Sequence, residues 1–95
     1  MSDKNETLPG GWSPFTSNIS KEAQQAFAEA TKNWVGVTYS DFAVSQQVVA
    51  GMNYNFLCNG TTATQNPLTA LYSVHVFKPA GSGAARIVKI INIPC

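Results

Sequence analysis

The chain has 95 residues, of which 44% are hydrophobic and only 12% charged. A chain of this size buries about 60–65% of its unfolded surface, enough for one small core and one domain. Six Lys and Arg against five Asp and Glu leave a net charge of +1. This balance excludes the clustered basic face of a nucleic-acid binder and the basic run of a membrane anchor. His75 is the only imidazole, and with Cys58 and Cys95 it makes three potential zinc ligands where a structural site takes four. No Gly-rich phosphate loop is present, so no metal or cofactor is expected, and the composition leans away from an enzyme. No segment approaches the roughly 20 apolar residues of a membrane span. The opening Met1–Glu6 is polar and leads into no apolar run, which favours a cytoplasmic protein, with a secreted mature form as the alternative.

Residues 1–11 read as a flexible arm. Leu8-Pro9-Gly10-Gly11 places a φ-locked residue before two permissive ones, which suits an extended segment leaving the fold. Trp12-Ser13-Pro14-Phe15 restores apolar bulk and begins a single packed domain over residues 12–95. Residues 20–34 carry the helical pattern. Ser20 is a suitable N-cap, Glu22 complements the helix dipole, and Ala23, Phe27, Ala30 and Trp34 fall on one stripe, of which Phe27 and Trp34 read as core. Gly36 supplies the stop.

Beyond Gly36 the texture is that of strands. Val37–Val49 is rich in β-branched and aromatic residues. Met52–Cys58 alternates, with Met52, Tyr54, Phe56 and Cys58 on one face and Asn53 and Asn55 on the other. Asn59 to Pro67 reads as a loop, Leu71–Lys78 as a third strand, Pro79–Gly83 as a turn and Ala85–Ile93 as a fourth strand. His75 reads as a solvated sheet residue. One helix followed by strands at hairpin spacing predicts an α+β fold in which an antiparallel sheet of four to five strands wraps one helix.

The segment with functional content is Gln47-Val48-Val49-Ala50-Gly51. The flanking strands make it a hairpin tip, and Gly51 supplies the positive φ a short turn needs. Hairpin tips are normally polar. An apolar one at the end of a sheet has little of its own domain to pack against, which makes it a candidate contact surface for another protein.

Taken with its surroundings, this segment resembles the cystatins, inhibitors of papain-like cysteine proteases. Gln47–Gly51 is similar to the family's Gln-x-Val-x-Gly hairpin in full. Gly10-Gly11-Trp12-Ser13-Pro14 is similar to the Gly-Gly-x-x-Pro opening of plant-type members. Phe27-Ala28 followed by Asn33 resembles the family's helix, and Tyr72–Pro79 resembles the strand leading into its second hairpin. The resemblance runs from Leu8 to Ile93 in order and spacing. It implies a cystatin-like fold and a reversible, tight-binding inhibitor of cathepsin-type proteases that is not itself an enzyme. The implied wedge has three parts: Leu8, Pro9, Gly10 and Gly11 from the arm; Gln47, Val48, Val49, Ala50 and Gly51 from the first hairpin; and Pro79 and Ala80 from the second. The chain is expected to be a monomer, and the apolar wedge adds the expectation that under destabilising conditions the first hairpin opens and exchanges between chains to give a domain-swapped dimer.

The chain departs from the family in two places. Most secreted and plant members carry Pro-Trp in the second hairpin, where this chain has Pro79-Ala80. Losing an interfacial Trp can cost about 2 kcal/mol, or about thirtyfold in affinity. The disulfides of secreted members are not reproduced. Cys58 and Cys95 end strands separated by another strand, about 9–10 Å apart, too far for an unstrained bridge unless the tails bend. Two rival readings stand beside the inhibitor: a non-inhibitory cystatin-fold module that binds some other protein, and a thiol enzyme built on a Cys58–His75 dyad.

Overall fold

The computed structural model describes residues 11–94. One helix precedes four strands: α1 (Lys21–Thr31), β1 (Val37–Val49), β2 (Gly51–Thr62), β3 (Thr69–Pro79) and β4 (Arg86–Ile93). Each strand pairs antiparallel with the next, giving an open sheet in the order β1-β2-β3-β4 and an α+β architecture. The Ser20 side chain caps α1 by accepting from the Ala23 amide at 3.1 Å. This satisfies one of the donors that a helix start leaves without an intrahelical partner.

The helix buries Ala23, Ala26 and Phe27 against one face of the sheet. That face presents Val44 from β1, Tyr54, Phe56 and Cys58 from β2, and Val74 and Val76 from β3. Phe56 is fully buried, with its ring 4.9 Å from that of Phe27 and 5.6 Å from that of Tyr54. The alternation of β2 stands as expected: Tyr54, Phe56 and Cys58 are buried, and Met52 packs on the rim of the same core.

Trp34 does not belong to the core. It is 47% exposed, because α1 ends three residues before it. The Thr31 hydroxyl donates to the Phe27 carbonyl at 2.8 Å, and the Trp34 amide closes onto the Thr31 carbonyl at 2.9 Å. The last turn therefore tightens and the helical stripe is broken before it reaches the indole.

The expected loop after Cys58 is also corrected, since Asn59–Thr62 continues β2, with Asn59, Gly60 and Thr61 paired to both neighbours and Thr62 to β1. Gly60 sits inside the strand because the Tyr72 ring lies directly over it. A Cβ there would meet the ring edge at 2.5–2.6 Å. Glycine marks a close approach here and not a turn.

Two bulges set the phase of the sheet. Phe42 is extruded between the Asp41↔Cys58 and Ala43↔Leu57 pairs, and Val88 between His75↔Lys89 and Val76↔Ile87. Both side chains are exposed. Ahead of the helix, residues 12–16 run along the free edge of β1, with bridges at Trp12↔Gln47 and Thr16↔Val44. This strap is a partial fifth strand. It covers an edge that would otherwise offer unpaired backbone groups.

Replacing Phe56 with Ala should cost about 3–5 kcal/mol, because the site is closed by two other rings and cannot collapse around the loss. Urea unfolding followed by far-UV circular dichroism measures it as a fall in midpoint.

Candidate binding edge at one end of the sheet

The β1–β2 hairpin is closed by the pairs Val48↔Met52 and Val49↔Gly51, with Ala50 at the apex. Such tightness requires an unusual backbone, and Gly51 has φ +120°. A side chain there would overlap the Lys78 carbonyl oxygen and crowd the Ala80 nitrogen, 3.0 Å from an added Cβ. Gly51 is therefore needed both for the turn and for the close approach of β3.

That approach brings the second hairpin alongside the first. Gly51 pairs with Pro79 and Met52 with Lys78, so Val49, Gly51 and Pro79 form one row across the sheet. At about 4.8 Å per strand the row is roughly 10 Å wide. The Lys78 amine donates to the Gly83 carbonyl, tying the base of the second hairpin to its return limb. Val48 is 49% and Val49 40% exposed, and Ala50 and Ala80 are exposed. Among the described residues Val48–Gly51, Pro79 and Ala80 carry no ionisable side chain and Lys78 lies one pair below the row, so this edge is apolar.

The strap reaches the same end. It runs antiparallel to β1, so the Trp12↔Gln47 bridge places Gly11 level with Val48. Its anchorage is dense. The Ser13 amide donates to the Gln46 carbonyl at 2.8 Å, the Gln46 amide to the Ser13 hydroxyl at 3.0 Å, and the buried Ser45 hydroxyl to the Ser13 carbonyl. Of the predicted wedge residues, Gly11, Gln47, Val48, Val49, Ala50, Gly51, Pro79 and Ala80 are thus brought to one end. Leu8, Pro9 and Gly10 lie outside the described residues, as does Cys95.

On the face away from α1, a polar network missed by the sequence reading backs this edge. The Asn53 amide donates to the Gln47 side-chain oxygen at 2.9 Å, and Asn53 Oδ1 lies 3.2 Å from His75 Nε2. Since Asn53 presents its oxygen, Nε2 carries the hydrogen. The Trp12 indole meets the imidazole edge-on, with centroids 5.7 Å apart. His75 is therefore half-buried and held on two sides, not a solvated sheet residue. The available signal was the period-2 pattern that put Asn53 and His75 on a common face. Nothing local could add Trp12 to it.

Cys58 faces the opposite way. It is fully buried and free, with its thiol pushed up to about 12 by burial and then by the Asp41 charge. It lies on the helix side of the sheet and His75 on the other, so the two do not form a dyad. A cleft of about 520 Å³ lies between α1 and the β2–β3 pair, lined by Glu22, Gln25, Ala26, Glu29, Met52, Tyr54 and Lys78. It contains neither a thiol nor an imidazole. Among the described residues no group of three or more His, Cys, Asp or Glu is placed to hold a metal, and no helix is long and apolar enough to cross a membrane. No family model matches the chain, and neither does any curated protein or solved structure.

Two outcomes follow from this geometry. Gly51→Ala should destabilise the protein by about 1–3 kcal/mol, through a strained φ together with the overlap on β3, read as a lower thermal midpoint. His75 is held below its usual 6.5 by burial and then by the charge of Lys89. As pH falls through about 6.5 the unfolded chain takes up this proton before the folded one does. The contribution is complete above that value and declines below it. The urea midpoint should therefore fall between about pH 7.5 and 5.5, and His75→Gln should remove that part of the fall.

Proposed function

We propose that the chain has a cystatin-like fold and is a reversible inhibitor of papain-like cysteine proteases, acting by occlusion of the active-site cleft. The observation that carries this reading is the row Val49–Gly51–Pro79, with both valines half-exposed on a tightly closed tip and Gly11 level with them. Contiguous apolar surface at a sheet end, ringed by little charge, is what a partner with an apolar cleft would bury.

The mechanism uses shape and burial. Val48 and Val49 pack beside the protease nucleophile. Pro79 and Ala80 cover the primed side, and the arm that begins before Gly11 covers the non-primed side. Gly51 and the two adjacent pairings hold the tip in one conformation, so little ordering entropy is lost on docking. No bond in the inhibitor is broken. Burying a half-exposed Val contributes about 1 kcal/mol or somewhat more, so the valines together supply part of the affinity and the rest comes from the flanking elements. Ala80 provides less contact than the Trp found in most secreted and plant cystatins, which weakens the primed-side anchor and leaves the first hairpin as the main one.

Titration of papain with the intact protein decides the matter. Stoichiometric loss of activity that returns on dilution, with the inhibitor recovered at full length, is the expected result. Val49→Asp should weaken inhibition by about a hundredfold, since the apolar contact is lost and a carboxylate must be desolvated. Its circular dichroism spectrum should match that of the parent. An inert protein in this titration would favour the non-inhibitory module, and steady cleavage of the chain at the tip would mark a substrate.

A further inference from the structure

The strap and the polar network close into a ring of contacts. Trp12 pairs with the Gln47 backbone, and the Gln47 side chain accepts from Asn53. Asn53 bonds His75, and His75 meets the Trp12 indole. Each link joins a different element: strap, β1, β2 and β3. Ser13 and Thr16 fix the strap further back along β1. Gly11 follows Trp12 toward the hairpin end and has no side chain, so among the described residues the indole is the side chain of the strap nearest this end.

Trp12 remains 44% exposed, yet it meets His75 of β3 across both β1 and β2. A strap anchored by backbone bonds alone would need no aromatic group reaching over two strands. The reach makes sense if it fixes the rotation of the strap about β1, and with it the placement of Gly11.

We propose that Trp12 is a positioning residue. Seated against His75, it holds Gly11 level with Val48 and so fixes the point from which the amino-terminal arm enters the protease cleft. The proposal rests on the inhibitory reading for its consequence but not for its geometry. Trp12 acts through Gly11 and touches no reacting atom. His75 is the seat, and Asn53 and Gln47 keep the imidazole from turning.

Two readouts separate this from its alternatives. The first needs no protease: the backbone ¹⁵N heteronuclear NOE of Gly11. It should be close to that of the sheet in the parent, fall toward a free chain end in Trp12→Ala, and recover in Trp12→Phe, which keeps an aromatic edge for His75. An unchanged NOE in Trp12→Ala overturns the proposal. The second readout is the dissociation rate from papain, measured in the intact chain and in one lacking residues 1–9. Trp12→Ala should raise it about tenfold in the intact chain and less than about twofold in the truncated one, the non-additivity expected of residues that act together. Equal effects in both backgrounds would mean that Trp12 touches the protease itself or merely supports the fold, and would also overturn it. If the parent does not inhibit papain, the functional reading falls and the NOE series alone decides whether Trp12 positions Gly11.

Discussion

The helix is too short for the sheet. Eleven residues of α1 span about 16 Å, whereas thirteen residues of β1 span about 40 Å or more. Phe27 therefore seats over Phe56 near the middle of the strands, and the buried rows run no further than Tyr54 and Val76 toward the hairpin end. Beyond them cover is partial, with Met52 on the rim of the core and an open cleft between α1 and the Met52–Lys78 pair. Val48, in phase with Val44 on the helix face, is exposed because α1 does not extend over it, and Val49, in phase with Gln47, lies on the opposite face where no helix packs. An apolar edge arises from a mismatch of lengths, and the fold tolerates it because the rows beneath are already closed.

The two faces of the sheet do different work. On the helix side, Val44, Phe56 and Val74 exclude water and supply most of the apolar burial. On the other side, side-chain amides, hydroxyls and one imidazole join across strands: Asn53 to Gln47, Ser73 to Asn55, and His75 to Asn53. Bonds of this kind contribute modestly to stability, about 1 kcal/mol each, but they penalise any slip of register, since a shift by one residue would bury the amides under the helix. The register matters at the far end. The row Val49–Gly51–Pro79 exists only while β1, β2 and β3 stay in step. The network some residues away thus fixes which atoms lie side by side at the tip.

Much of this was legible in the sequence where the signal is local. The clean alternation of Met52 to Cys58 marks a half-buried strand, and Gly51 between two strand patterns marks the turn. Val37–Val49 was recognisable by β-branched and aromatic content, but its phase was not. Phe42 is bulged out, so residues before and after it face opposite ways for a given parity, and no period-2 count can register that. Gly60 misled because a glycine that admits an aromatic ring and a glycine that makes a turn look alike in sequence. Trp34 misled because its spacing from Ala30 continues the stripe, while the Thr31 hydroxyl and the tightened last turn end the helix first. The strap was invisible for a different reason. Trp12 and Gln47 are partners only through tertiary pairing, and nothing in either neighbourhood names the other.

An inhibitor that fills a protease cleft must avoid being a substrate, and the tip geometry bears on that problem. A peptide bond is cleaved when the chain lies extended through the active site with its carbonyl presented to the nucleophile. At the apex of the first hairpin the chain reverses within the span Val49–Ala50–Gly51, and Gly51 has φ +120°. An extended strand keeps φ near −120 to −140° for every residue, so the apex cannot lie through a cleft as a substrate does without unpairing Val49 from Gly51. Unpairing is resisted from two sides, because Gly51 is also paired to Pro79 and packed under the Lys78 carbonyl. Under the inhibitory reading, the contact that sets the exposed row in place is the same one that withholds a scissile bond. Substitution at Gly51 would then act twice, lowering affinity by displacing the row and raising susceptibility to cleavage by freeing the apex to extend.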